Sequence, residues 1–517
     1  MRKVLVSKQI NPYILTFIVS LVFSYLAIST DNLLNHDGIY FMNAAKTYLR
    51  DGFAAMLKVF PWPFFSWLVA NLHQVSWFPH IEQTAHFINA LFIAITCILF
   101  IRIYAEITNN EGSLWVAAIL VLTFVGLNKY RADLMKDFGY WCFYLAGFYC
   151  LLSYYKRPNW VAAIGWQLFM GLAFLFRIEG LVIIALGPLA VFIGSVSFKE
   201  RIVQVIRLYS IYIVGLVISV IVMLFVGAEN LDIQLGRLLT VQSYLNIDRW
   251  VTTYDFAIRK LGEFYTYEGA HHKHDHVLAI IYASSLVVYV LIKIIECISF
   301  PYFAVFLLGA FKKLFCINDY NKIILYFILF LFLFFIGYKS SGEVKVVSSR
   351  YTTSLGFLLL LLIGQIVERL LPTVSSSRHR KKIVAVIFVF LFLSTTDSVI
   401  STQGDSKTHV LQSGYWVKHN AERSVPVYSN YYKALYYTNR ERSFRHVMGF
   451  WELVAKIENG AVGPEAYIIV KINHEENEEY SKKLDRLIET GKIEYQTEFA
   501  NDENDRSVIY RLQPPLQ

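Results

Sequence analysis

Charge is scarce in this sequence: Asp, Glu, Lys and Arg together make up 17% of 517 residues, while 56% are hydrophobic. Soluble globular domains carry about 25% charged residues, so an ordinary water-covered surface over the whole chain is excluded. Cysteine is also sparse. The five, Cys97, Cys142, Cys150, Cys297 and Cys316, sit in or beside apolar runs, which excludes a disulfide framework and leaves no zinc-ligand spacing. No internal repeat or low-complexity tract is present, which sets solenoids aside. The net charge of +9 lies largely in short loops, and no nucleic-acid partner is called for.

What the chain has instead is long charge-free runs. Crossing about 30 Å of hydrocarbon takes about 20 apolar residues. Such windows occur at 11–30, 83–101, 112–128, 138–155, 158–176, 180–198, 208–228, 297–311, 323–338, 351–367 and 383–396, with a further candidate at 277–292. The run after Lys8 is longer than a signal-peptide core and lacks a small-x-small site, so an uncleaved anchor is expected. Basic residues in short loops stay on the cytoplasmic side. Arg2, Lys3 and Lys8 place the N-terminus inside, and Lys156, Arg157 and the 199–207 stretch follow it there. One crossing within 277–311, with Val277–Ile292 along the interface, also puts Lys312, Lys313, Lys322, Arg369 and the 378–382 cluster inside. The expectation is a polytopic α-helical membrane protein of about eleven spans.

Two parts are expected: residues 1–397 embedded in the membrane, with large outer loops at 31–82 and 229–276, and residues 398–517 as an outer soluble domain. In the second part Val425–Ser429 and Ala466–Ile472 read as short buried strands. The stretches HVLQSGYWVKHN and EEYSKKLDRLIETG read as helices, which together predict a small α/β layer.

Ionisable groups near membrane depth are costly and mark function by default. Here they gather at the outward span ends: His36 and Asp37; Arg131, Asp133, Lys136 and Asp137; Arg177 and Glu179; then Lys339, Glu343, Lys345, Arg350 and Tyr351. Acids and bases from four loops are thus expected above one bundle, as a pocket for a phosphate-bearing lipid requires. Asp37 is the leading candidate, since a carboxylate there can act as general base or hold a divalent cation. Its structural alternative is the cap of a helix beginning near Ile39. From Ile39 to Tyr48 the spacing of Ile39, Phe41, Met42, Ala45 and Tyr48 suits an interfacial amphipathic helix, with Lys46, Arg50 and Lys58 toward head groups. Arg177 with Glu179 can equally be a helix-end salt bridge, Arg350 with Tyr351 an interfacial anchor, and Asp133 with Lys136 and Asp137 a solvated loop. His271, His272, His274 and His276 have spacing that can hold a metal, or form a solvated or substrate-covering loop.

The acid of the first outer loop, the amphipathic helix, the proline-rich FPWPFFSWL, the loop RADLMKD, the turn FRIEGL, the late SSRYTTSLG and the tail SGYWVKHNAERSVPVYSN follow one another in order. In that order and sidedness the chain resembles the GT-C fold of polyprenyl-phosphate-sugar-dependent glycosyltransferases, the group that includes protein O-mannosyltransferases and aminoarabinose transferases of lipid A. The resemblance implies a sugar arriving on a polyprenyl phosphate, a lipid, glycan or protein acceptor, and chemistry on the extracytoplasmic face. It also implies Asp37 as the base, Asp133 or Asp137 orienting the acceptor or a metal, and a phosphate site drawn from Arg131, Lys136, Arg177 and Arg350. A bacterial inner membrane, with the C-terminal domain outside, is the location implied, with an endoplasmic reticulum membrane as the alternative. One departure is that His36 precedes Asp37 where many members carry two adjacent acids. A first-loop metal is therefore not called for, and a divalent cation stays open.

Two other classes are distinguishable. A transporter calls for inverted repeats and polar groups at mid-membrane, where His86, Asn89 and Gln167 are nearly alone here. An envelope oligosaccharide polymerase or ligase would lack the first-loop acid with its helix and the soluble tail, and a structural assembly protein has no use for charges from four loops on one side.

Overall fold

The computed structural model describes residues 11–30, 33–108, 113–194, 197–226, 247–265, 275–340, 347–375, 378–400, 407–439, 446–463 and 465–513. The chain divides into two compact units. One comprises residues 1–27 and 41–401. The other comprises Thr402–Gln517 together with Ile28–Tyr40, so the short segment carrying His36 and Asp37 belongs with the C-terminal unit rather than with the helices around it in sequence.

The first unit is helical. Among the described residues, six helices are long and apolar enough to cross a membrane: Pro12–Thr30, Ile81–Thr108, Phe198–Ile218, His276–Ile298, Asp319–Ser340 and Thr353–Leu371. Shorter apolar helices at Ser113–Leu122, Trp160–Phe176, Glu179–Ile193 and Phe300–Phe311 accompany them. The protein is an integral membrane protein on this showing, and six helices rather than eleven meet the length criterion. The 277–311 stretch is arranged differently from expectation. The helix Asp275–Ile298 is continuous, the chain breaks at Ser299 with φ 75°, and Phe300–Phe311 has only 12 residues. At 1.5 Å per residue the second piece reaches about 18 Å. By length His276–Ile298, rather than Phe300–Phe311, is the piece able to cross, which differs from the expectation that Val277–Ile292 lies along the interface.

Close approach explains the tight centre. The helices Asp137–Lys156 and Trp160–Phe176 pack as an antiparallel pair, and a Cβ on Gly147 would lie 2.6 Å from the Met170 sulfur. Small residues at such contacts let helices meet where lipid supplies no hydrophobic drive. Asn159 starts the second helix of the pair by accepting from the Ala162 N–H at 2.8 Å. Gln167, one of the rare polar interruptions, is buried. Its amide donates to the Ser210 hydroxyl at 3.3 Å, and its carbonyl accepts from the Ile211 N–H, tying this helix to Phe198–Val226.

The C-terminal unit holds a four-stranded sheet of β1 (Val427–Ser429), β2 (Tyr467–Ile472), β3 (Ile493–Ala500) and β4 (Arg506–Leu512) in the order β1-β2-β4-β3. β1 pairs parallel with β2, and the other pairs are antiparallel. Both faces are covered. Ile468, Val470 and Ile472 meet Leu453, Ile457, Leu484 and Leu487, while Ile469 and Ile509 meet Val410, Val417 and Leu435. Burial on two faces is why β2 reads as a continuous apolar run.

Asp505 anchors the turn into β4: its carboxylate accepts from the His474 N–H at 2.9 Å and lies 3.9 Å from the Lys471 ammonium. Burial alone would raise this carboxyl, but the His474 N–H and the Lys471 charge outweigh it and hold it below its ordinary value. A depressed folded-state value contributes stability above the unfolded value, about 3.9, that is lost as pH falls through the folded one. Unfolding of this unit, followed by circular dichroism, is expected to show a loss of stability below about pH 4 that is smaller in Asp505→Asn. Identical acid profiles would remove Asp505 from that role.

Candidate active site

The turn FRIEGL is built by local geometry. The helix Trp160–Phe176 ends when Arg177 turns extended (φ −145°, ψ 135°), and its N–H still donates to the Ala173 carbonyl at 2.9 Å. Glu179 opens the next helix, and Gly180 fits there because a Cβ would lie 2.7 Å from the Phe174 nitrogen. The proline-rich stretch packs behind this turn, with Phe64 and Trp62 edge-on to Phe176 and Phe174 at 5.1 and 5.3 Å.

Arg177 is the hub. Its guanidinium donates to the Asp137 carboxylate and to both Glu179 oxygens, at 2.6 Å and 3.1 Å for the latter pair. The side chains of Arg177 and Asp137 keep only 7% and 5% of their exposure. Asp137 lies in the first turn of the helix Asp137–Lys156, where the N-terminal dipole also favours a negative group. The Tyr351 ring lies 4.4 Å from the same guanidinium and Tyr140 5.8 Å from it. Arg350 is 5.5 Å from the Tyr351 ring.

Apart from Asp137, these groups line one pocket, whose enclosed space is about 10 Å³ and reaches about 360 Å³ only with its solvent-open mouth counted. Arg177, Glu179, Arg350, Tyr351, Tyr140 and Ser354 form its polar end, while Trp141, Val182, Ile183, Phe330, Leu331, Phe334 and Phe335 form an apolar wall. The late SSRYTTS segment is held in place by the second loop: the Lys129 ammonium and the Tyr130 hydroxyl both bond the Ser349 hydroxyl, the second at 3.1 Å, and Thr353 donates to the Gly126 carbonyl at 3.2 Å. Segments far apart in sequence thus meet through hydrogen bonds as well as charge.

Other expected site residues lie elsewhere. Arg131 is buried and does not line the pocket. Its guanidinium donates to the Ser20 carbonyl at 2.9 Å, the Ser24 hydroxyl at 2.8 Å and the Asn128 side chain at 2.8 Å, which fastens the first helix to the second loop. Lys136 is largely buried, 5.4 Å from the Phe60 ring, and Asp133 is half-buried on the same loop. Glu343, Lys345, His271, His272 and His274 fall outside the described residues, and His276 is exposed. Among the described residues no three His, Cys, Asp or Glu side chains are grouped to hold a metal.

Asp37 stands in the other unit. The helix that carries it begins at His36, with the Ile39 N–H donating to the Asn35 carbonyl at 3.2 Å. Asn35 therefore holds the cap position, and Asp37 is a half-buried first-turn acid rather than the cap. Farther along, Ile39, Phe41, Met42 and Ala45 are buried as the spacing predicts. Lys46 pairs with Glu82 at 2.8 Å and Arg50 with Asp51 at 2.7 Å.

No family model matches the sequence. No curated protein matches it either. Two solved structures are similar over 97% of this chain and 99% of their own: the crystal structure of ArnT from Cupriavidus metallidurans in the apo state, at 11% identity and a TM-score of 0.41, and that of ArnT from the same organism bound to undecaprenyl phosphate, at 10% and 0.42. Likeness this low leaves the reading of the site to the chain's own residues.

Proposed function

We propose that the protein is a membrane glycosyltransferase that moves a sugar from a polyprenyl-phosphate donor to an acceptor on the extracytoplasmic face. The observation that carries this reading is a pocket lined by the Arg350 guanidinium, beside the ion-paired Arg177, together with aromatic and aliphatic side chains. An amphiphile with an anionic head and a hydrocarbon tail matches both kinds of lining. In the reaction, the acceptor oxygen or nitrogen forms a bond to the anomeric carbon as the bond from that carbon to the phosphate oxygen breaks. The electron pair leaves with the polyprenyl phosphate, and the acceptor proton passes to the Asp37 carboxylate. Positive charge is needed where the phosphate's charge grows, a role assigned to Arg350, with Lys136 as a second candidate. Asp137 and Glu179 neutralise Arg177, which gives that residue the task of shaping the pocket rather than binding the phosphate.

The test is reconstitution in proteoliposomes with radiolabelled sugar on a polyprenyl phosphate and, in parallel, on a nucleotide. Label is expected to leave the lipid donor, and Arg350→Ala is expected to lower that rate at least tenfold through KM and kcat together. Label that stays on the lipid carrier while the nucleotide sugar is consumed would overturn the reading.

A further inference from the structure

The segment around Asp37 is gripped from one side of the C-terminal unit. Three contacts bracket the acid: the Leu34 N–H donates to the Tyr437 hydroxyl oxygen at 2.8 Å in a buried setting, the His36 ring meets the Tyr432 ring edge-on at 4.3 Å, and the Tyr40 ring stacks on Tyr432 at 6.5 Å. Tyr432 and Tyr437 are the two ends of the short helix Tyr432–Tyr437, whose Ala434 and Leu435 are part of the sheet's hydrophobic core. Tyr437 is further wedged between Tyr415 at 5.7 Å and Tyr436 at 5.4 Å. The two tyrosines therefore belong to the rigid part of the domain, and what they touch is a segment about 400 residues away in sequence, the Leu34 to Tyr437 bond alone spanning 403.

We propose that Tyr432 and Tyr437 are positioning residues that hold residues 34–40, and with them the Asp37 carboxylate, in register for the reaction. The C-terminal unit is then the support of the Asp37 segment. Holding a reacting group in place is worth much in rate, since a displacement of about 1 Å can cost on the order of 100-fold. His36 takes part through its ring, which occupies Tyr432. The inference rests on Asp37 acting as the base proposed above.

Full-length protein in proteoliposomes tests it with two readouts. Hydrogen exchange of peptides covering residues 33–40 reports the grip without any need for turnover. Steady-state transfer reports its consequence. Tyr432→Ala is expected to speed exchange at 33–40 about tenfold and to lower kcat about 10- to 100-fold at nearly constant donor KM. Tyr432→Phe, which keeps the ring, is expected to restore both, and Tyr437→Phe, which removes the oxygen that accepts from Leu34, to give an intermediate result without unfolding the domain. Unchanged exchange at 33–40 in both Tyr432→Ala and Tyr437→Phe overturns the proposal, as does faster exchange with wild-type kcat. If the wild type transfers no sugar while exchange responds as described, the transferase reading fails and the grip on residues 34–40 stands.

Discussion

Arg177→Ala is expected to destabilise the membrane unit by about 3–5 kcal/mol, the usual cost of removing one partner from a buried ion pair. The geometry places this substitution at the upper end for a point change. Two carboxylates, Asp137 and Glu179, converge on one guanidinium, and the side chains of the three keep 5%, 18% and 7% of their exposure. Deleting the cation leaves two neighbouring negative charges with little water around them, each raising the cost of the other. The loss of the Tyr351 contact, at 4.4 Å from the guanidinium, adds to it. Arg177→Lys keeps the charge but has no planar fork to serve two carboxylates at once, so an intermediate loss is expected. Combining Arg177→Met with Asp137→Asn and Glu179→Gln, which removes all three charges, should recover much of the melting temperature. Thermal unfolding in detergent checks the series, and a wild-type melting curve for Arg177→Ala would show that water reaches the pair after all.

Asp37→Asn is expected to lower turnover about 10²- to 10⁴-fold, the range that a positioned general base contributes, with donor KM nearly unchanged. Asparagine is close to the same size and keeps the helix start, because Asn35 rather than Asp37 holds the cap. The attraction between an acid and the helix N-terminus that is lost amounts to about 0.3–1 kcal/mol, a small change beside the expected change in rate. Initial rates with labelled donor, measured beside the melting curve, separate the chemical from the structural outcome. A rate within twofold of wild type would take the base role away from Asp37.

The C-terminal unit was the most legible part. The runs at Val425–Ser429 and Ala466–Ile472 became β1 and β2, and the helices Thr408–Asn420 and Asn477–Glu489 lie within or beside the stretches that read as helical. β3 and β4 were not legible, because IEYQTEFA and RSVIYRL mix charged and apolar residues, and only the pairing of β4 with β2 and of β3 with β4 places them in the sheet. In the membrane unit, FRIEGL and the Arg350-Tyr351 pair stood out because charge is rare there, and the pocket unites them. Tyr140 carried no signal, since it lies inside an apolar helix whose inward face cannot be told from sequence, and Ser354 stood only as part of the SSRYTTSLG motif. Lys129 and Tyr130 had a signal, lying directly before RADLMKD, but their bonds to Ser349 follow only from the fold.

Composition and the spacing of apolar runs determined that the chain lives in a membrane, that its ionisable groups collect at the ends of apolar runs, and that its last 120 or so residues include a small α/β unit, because hydrocarbon excludes charge and backbone alike. Apart from the local Arg177–Glu179 pair, which of those charges meet was decided by tertiary structure. Arg131 went to the first helix while Arg177 and Arg350 went to the pocket, and the Asp37 segment joined the C-terminal unit. A guanidinium near membrane depth must find oxygen or a ring to replace water, and the choice among partners far apart in sequence is made by the packing of helices, which no local pattern records.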